Sequence, residues 1–427
     1  MPLKVPYQQF NFTRDKGYMK PINRHALLVT AVALLAVFVS VGALKALPTV
    51  SSSKFASSET CMCHSQLQSQ WSASMHSKAL IDPLYTLKRD KGDKETNGAV
   101  GKFCDGCHAP VAIMAGEDVS NPANLPAQSR EGVGCEFCHQ VSGSNTPIGN
   151  TSVEVIPDGV RRAQLQDARD MHPVSYSGFH ATAEFCGNCH NVNHPANGLA
   201  LEATYTEWKN SPYAKDGIVC QDCHMTPGAG PTKNPGTSAA GAPERDHIFN
   251  MTFAGGNVGL GDSKLAEERL KGAATLSIAV DDIVPTGSSV SATVTVTNSG
   301  AGHYLPTGLT DTRRMWLVVT ATTGDGKEKE IFRRDFGTVL ADDEGNAPVQ
   351  IWAAAKIRSD DRIPPKESIT EKITFLQEDA KATTLEAALY YRSVSPEMAK
   401  EANVEIPTVT MASKKVVINA VRLQSSM

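Results

Sequence analysis

Three textures of apolar and polar residues follow one another along the chain. Residues 26–44, ALLVTAVALLAVFVSVGAL, run 19 positions without a charge, enough at about 1.5 Å per residue to cross roughly 30 Å of hydrocarbon. Lys4, Arg14, Lys16, Lys20 and Arg24 precede them against Asp15 alone, a bias that keeps the leading segment inside. The pattern predicts a cytoplasmic segment over 1–25 and a transmembrane helix over 26–46. Cleavage after Ala43 is the alternative, because Val-Gly-Ala resembles a processing site. Either way the remainder is translocated, so the expected location is the cytoplasmic membrane, with the bulk of the chain periplasmic or extracellular.

The second texture, 49–272, is rich in Gly, Pro, Ser and Asn and has few long amphipathic runs. Short helices are expected at ATAEFCGNCH and EATYTEWKNS, with loops between. A domain so poor in structure of its own needs another source of core. The third texture, 273–427, alternates apolar and small polar residues in SVSATVTVTN, RMWLVVTA, ESITEKITF, LYYR and KKVVI, which predicts strands. Strands at such spacing and without cysteine point to an antiparallel β-sandwich of immunoglobulin-like type. The expected class is therefore α+β: an N-terminal transmembrane helix, a loop-rich, mainly helical domain, and the sandwich.

The cysteines explain the middle texture. Eight of the ten stand in Cys104-Asp-Gly-Cys107-His108, Cys135-Glu-Phe-Cys138-His139, Cys186-Gly-Asn-Cys189-His190 and Cys220-Gln-Asp-Cys223-His224. C-x-x-C-H is the attachment signature of haem c: two thiols bond the vinyl groups and the histidine becomes an iron ligand. Disulfides or zinc sites do not require a histidine after each second cysteine. The remaining pair, Cys61-Met-Cys63-His64, lacks one residue. Three readings stay open for it: two thioethers on a strained loop, one through Cys63 with Thr60 in the first cysteine's place, or a free or disulfide-linked pair. The first two give a fifth haem, so five covalent haems c are expected, with His64, His108, His139, His190 and His224 as proximal ligands. A net charge of −4 argues against a nucleic-acid partner.

Trp71-x-x-Ser74-x-His76 and Trp208-x-x-Ser211-x-Tyr213 share a pattern and hint at a duplicated unit. Together with EGVGCEFCH, AEFCGNCH, YTEWKNSPYA, GIVCQDCHM and GHYLPTG, the first of them resembles the multihaem cytochromes c related to the tetrahaem electron carrier of nitrifying bacteria. The resemblance covers about 55–320 and departs from the family at C-x-C-H. It implies closely stacked, mostly bis-histidine haems that carry electrons. Setting aside His25 and the five proximal residues, the distal candidates are His76, His172, His180, His194, His247 and His303. The resemblance supports His76, His180, His247 and His303, and His172 is preferred to His194 for the fifth. Gly and Pro around His303 suit its loop to presenting an imidazole and docking the sandwich on the haems.

Two function classes remain. An electron conduit would link a membrane quinol-linked or other redox protein to an acceptor or to other cytochromes, with a homo-oligomer or filament as a possible assembly. An enzyme acting on hydroxylamine or nitrite would need an iron with an open position. The absence of C-x-x-C-K and the supply of histidines favour the conduit, with no catalytic residue expected.

Overall fold

In the third texture the alternation turns directly into buried and exposed faces. Along Ser289–Asn298 the side chains of Val290, Ala292, Val294 and Val296 are buried while their neighbours face outward. Arg314–Thr322 and Thr383–Arg392 repeat the pattern through Met315, Leu317, Val319, Leu385, Ala387 and Leu389. A period of two places every second residue on one face of a strand. Each fully buried Val or Leu contributes about 1.5–3 kcal/mol relative to exposure.

The computed structural model describes residues 50–422 apart from 169, 170, 229, 310 and 379. A three-stranded sheet, in the order Ser368–Leu376, Ser289–Asn298, Ala274–Ala279, is antiparallel throughout. The second sheet runs Glu328–Phe336, Arg314–Thr322, Thr383–Arg392, Val409–Val421, Ile283–Pro285. Its last pairing, Asn419 opposite Ile283, is parallel, so the sheet is not the purely antiparallel one expected. One apolar cluster joins the inner faces of both sheets.

The region before the sandwich is mixed rather than mainly helical. Its helices are short, the longest being Pro83–Glu95. Two-residue to four-residue strands pair between them: Val141–Ser144 with Val153–Val155, Arg161–Ala163 with Val174–Tyr176, and Val192–Asn193 with Ala200–Glu202. The class is mixed α+β. The membrane span is a further correction. Among the described residues no helix is long and apolar enough to cross a membrane, which takes about 20 residues. Residues 26–46 themselves lie outside the described residues. The location drawn from that helix, at the cytoplasmic membrane with the bulk outside, loses its support with it.

The helix Ser263–Ala273 leads straight into the first sandwich strand at Ala274, and polar bonds join the two regions. Arg362 pairs with Glu207, both buried. Glu207 accepts from Tyr304 N–H (3.1 Å) and from Thr307 Oγ1 (2.7 Å). Lys88 pairs with Asp311 at 2.6 Å.

Candidate haem-binding site

Where the earlier region would be expected to hold a core, it encloses a cavity of about 1740 Å³, mostly apolar in lining, and all ten cysteines face it. Each regular motif is carried on a helical turn. Cys104 to His108 end the helix Ala99–His108, while Cys135–Gln140 and Cys220–His224 start at the first cysteine. In the fourth, beyond the helix Ala183–Gly187, His190 N–H still donates to Cys186 O at 3.0 Å, an i to i−4 bond. At the shortened motif Met62–His64 is a 3₁₀ turn, and His64 N–H donates to Cys61 O at 2.9 Å. A turn of three residues rather than 3.6 thus keeps the histidine on its first cysteine despite the missing residue.

The two Trp-x-x-Ser segments are also structural copies. Trp71 Nε1 donates to Val133 O (2.8 Å), and Val133 N–H donates to His76 O (2.9 Å). Trp208 Nε1 donates to Ile218 O (2.8 Å), and Ile218 N–H donates to Tyr213 O (3.0 Å). Val133 and Ile218 each stand two residues before a first cysteine, so both copies brace a haem motif. Gly132 has φ +68°, and a Cβ there would lie 2.4 Å from His76 O. Only glycine fits.

All five motif histidines have Nδ1 held. The acceptors are Ser238 O for His64 (2.6 Å), Ala79 O for His108 (2.9 Å), Arg162 O for His139 (2.8 Å), Glu202 Oε1 for His190 (3.2 Å) and Ala254 O for His224 (2.7 Å). A carbonyl or carboxylate only accepts, so the proton sits on Nδ1 and Nε2 keeps its lone pair. That is the tautomer a metal requires. Burial also favours the neutral ring at three of them, lowering His108 and His139 and carrying His224 to about 4.

Four of the five face a second imidazole. Ring centroids lie 6.2 Å apart for His64 and His172, 6.3 Å for His190 and His76, 6.1 Å for His139 and His180, and 6.3 Å for His224 and His303. An imidazole nitrogen binds a first-row metal at about 2 Å, and conjugated ring bonds of about 1.33 Å put that nitrogen roughly 1.1 Å from the centroid. Two imidazoles on one metal are therefore about 6.2 Å apart. The cavity, thiols, tautomers and spacing together fit haem c. Burial carries His76 down to about 3 and His180 to about 4. His180 Nε2 lies 3.0 Å from Cys138 O, a contact that ligation would exchange for iron.

The other two distal candidates are placed differently. His194 lines the cavity, but its Nδ1 accepts from Ala196 N–H and its Nε2 donates to Trp352 O, each at 3.2 Å. His247 accepts from Asn234 N–H on Nδ1 and packs edge-on against Phe249. His108 stacks on Tyr85 at 3.7 Å, and among the described residues no histidine ring faces it at the spacing of the other four. Beneath this motif the buried Asp105 accepts from Tyr85 Oη (2.6 Å) and from Arg89 (2.9 Å). Asp105, Glu202 and Glu207 had no signal in the sequence, being single acidic residues whose partners lie 12 to 155 positions away.

Thiols of separate motifs also lie close to one another: Cys61 by Cys135, Cys107 by Cys189, and Cys186 by Cys220.

Residues 60–140 match the family described as cytochrome c554 and c-prime. No curated protein matches the chain. Among solved structures the chain is similar to a penta-heme cytochrome c552 from Thermochromatium tepidum, with a TM-score of 0.63 and 20% identity over 86% of this chain and 99% of that one. A CARDB domain from Pyrococcus furiosus (TM-score 0.20, 12% identity, 35% of this chain and 87% of that one) and a beta-glucosidase from Listeria innocua (0.16, 8%, 33% and 16%) share too little to carry an argument. The c554 match and the fold common to the c552 support a multihaem cytochrome c.

Proposed function

We propose that the chain is a five-haem electron-transfer protein that passes single electrons between a quinol-linked or other redox protein and a second carrier, such as another cytochrome. The observation that carries this reading is the set of four imidazole pairs at 6.1–6.3 Å. When bound, each haem supplies an iron that changes oxidation state by one electron with no bond to substrate. The chain's own residues do the rest. The thiols would hold each haem, the Nδ1 acceptors orient the motif imidazoles, and His172, His76, His180 and His303 would take the second iron position at four of them against exogenous ligands. Cys189 lies near Cys107 and Cys186 near Cys220, so haems held by the motif at 186–190 and by those at 104–108 and 220–224 would be neighbours.

The mass of the mature protein with a haem assay tests the count: five covalent haems are expected, and four would mean that Cys61 and Cys63 attach none. A second reading rests on His108, which no imidazole among the described residues faces. Its centre binds a small ligand, and the reduced protein takes up carbon monoxide at one haem in five. Turnover of hydroxylamine or nitrite at that centre would make the chain an enzyme, whereas carbon monoxide binding without turnover leaves it a carrier.

A further inference from the structure

Four of the five motif histidines rest Nδ1 on a neutral backbone carbonyl, and His190 alone rests it on a carboxylate, Glu202. The contact is built into the fold. The ribbon that follows the motif pairs Val192 with Glu202, and Tyr205 N–H donates to His190 O at 3.0 Å. The Glu202 side chain is only 16% exposed and lines the cavity.

We propose that Glu202 is a positioning residue that gives His190 imidazolate character and so makes the haem at Cys186 and Cys189 the lowest-potential centre of the chain. An anionic acceptor pulls on the Nδ1 proton and leaves Nε2 a stronger donor, which stabilises the oxidised iron more than a carbonyl does. A negative charge in a poorly solvated site acts in the same direction, and Arg313 is a cation that acts against it. The position gives the effect a consequence. Cys189 lies near Cys107 and Cys186 near Cys220, so the least reducible centre stands between the His108 and His224 centres. Electrons entering the chain accumulate on either side of it before it fills.

This inference rests on the reading that His190 ligates iron, and the test separates the two. In the haem-loaded protein, Glu202→Gln keeps an acceptor but removes the charge. Redox titration should show one midpoint raised by a tenfold or greater change in its equilibrium constant, which is about 59 mV for one electron. The other four should stay in place, with haem count and low-spin spectrum unchanged, and Glu202→Asp should restore the low midpoint. Five haems, an intact low-spin spectrum and no moved midpoint would overturn the inference and leave the electron-transfer reading standing. A wild-type protein without haem at Cys186 and Cys189 would remove the reading first. Should Glu202→Gln lose its haem, reductive titration of the wild type followed by paramagnetic resonance decides. The last low-spin ferric signal to disappear must show the strongest axial ligand field, and a weak field in that signal overturns the proposal.

Discussion

The sandwich and the region before it solve the same problem, burying enough apolar surface to hold a fold, in opposite ways. In the sandwich, Val290, Ala292, Val294, Leu317, Val319, Leu385 and Leu389 are almost fully enclosed by one another across two sheets. The earlier region has only small clusters, such as Phe55, Val111, Met114, Phe137, Val141 and Val153, set around the 1740 Å³ cavity. A domain's net stability is a few kcal/mol left over from terms of order a hundred, and an interior that size cannot stay empty of apolar atoms. One region therefore brings its own core, and the other depends on groups bonded to its cysteines.

The strongest way to break this comparison is to withhold haem. Full-length protein made without haem attachment should lose the fold of 50–262 altogether while the sandwich survives. Limited proteolysis should then leave a resistant fragment covering roughly 274–421. A haem-free chain that protects both regions equally would show that the earlier region has a sufficient polypeptide core after all.

The joint between the regions should respond next most strongly. Glu207 is 6% exposed and binds Arg362, Tyr304 and Thr307 at once. Glu207→Ala takes one of two carboxylates from Arg362, which keeps Asp360 at 2.8 Å, and leaves the Tyr304 N–H without its acceptor, a loss of about 1–3 kcal/mol. The same carboxylate steadies the loop presenting His303, so the loss of stability should come with a changed spectrum at one haem. A stability loss with all haem signals intact would separate the loop's anchoring from His303.

Inside the sandwich the expectation reverses. Leu389→Ala empties a fully buried site and should cost about 2–5 kcal/mol, read as a lower denaturant midpoint. The haem spectrum should not move, since Leu389 does not line the cavity, although its cluster reaches Val258, Ala266, Leu270 and Leu305. A shifted haem signal would mean that this shared cluster carries the strain from the sandwich to the cavity wall.

What could be read from the sequence follows the same division. The strand Ser289–Asn298 was visible because its core is encoded by its own alternation. The parallel edge at Ile283–Pro285 was not, because nothing in three residues names a partner that begins more than a hundred positions later. Motif cysteines and histidines were visible because covalent haem chemistry fixes their spacing within a few residues. Glu202 was invisible, since its role depends on a ribbon that folds it back on His190. The helical reading of 49–272 failed because segments wrapped on cofactors need little regular structure of their own. The membrane helix was drawn from an apolar run and the positive charges before it, and no described helix is long and apolar enough to supply one.

The smallest predicted effect contrasts two histidines chosen from the sequence for the same task. His303 faces His224 at 6.3 Å with rings tilted by 19°, while Asn298 Nδ2 holds its carbonyl at 2.8 Å. His303→Ala should therefore turn one haem high-spin and open it to carbon monoxide. His247 instead spends Nδ1 on Asn234 N–H at 3.1 Å and sets its ring edge-on to Phe249. Removing it forfeits one hydrogen bond and part of an aromatic contact, about 0.5–1.5 kcal/mol, and should leave every haem signal in place. If His247→Ala generated a high-spin haem while His303→Ala did not, facing distance between imidazoles would not be what selects the distal ligand. The tie between sandwich and haem region would then have to rest on polar bonds such as Arg362–Glu207 and Lys88–Asp311.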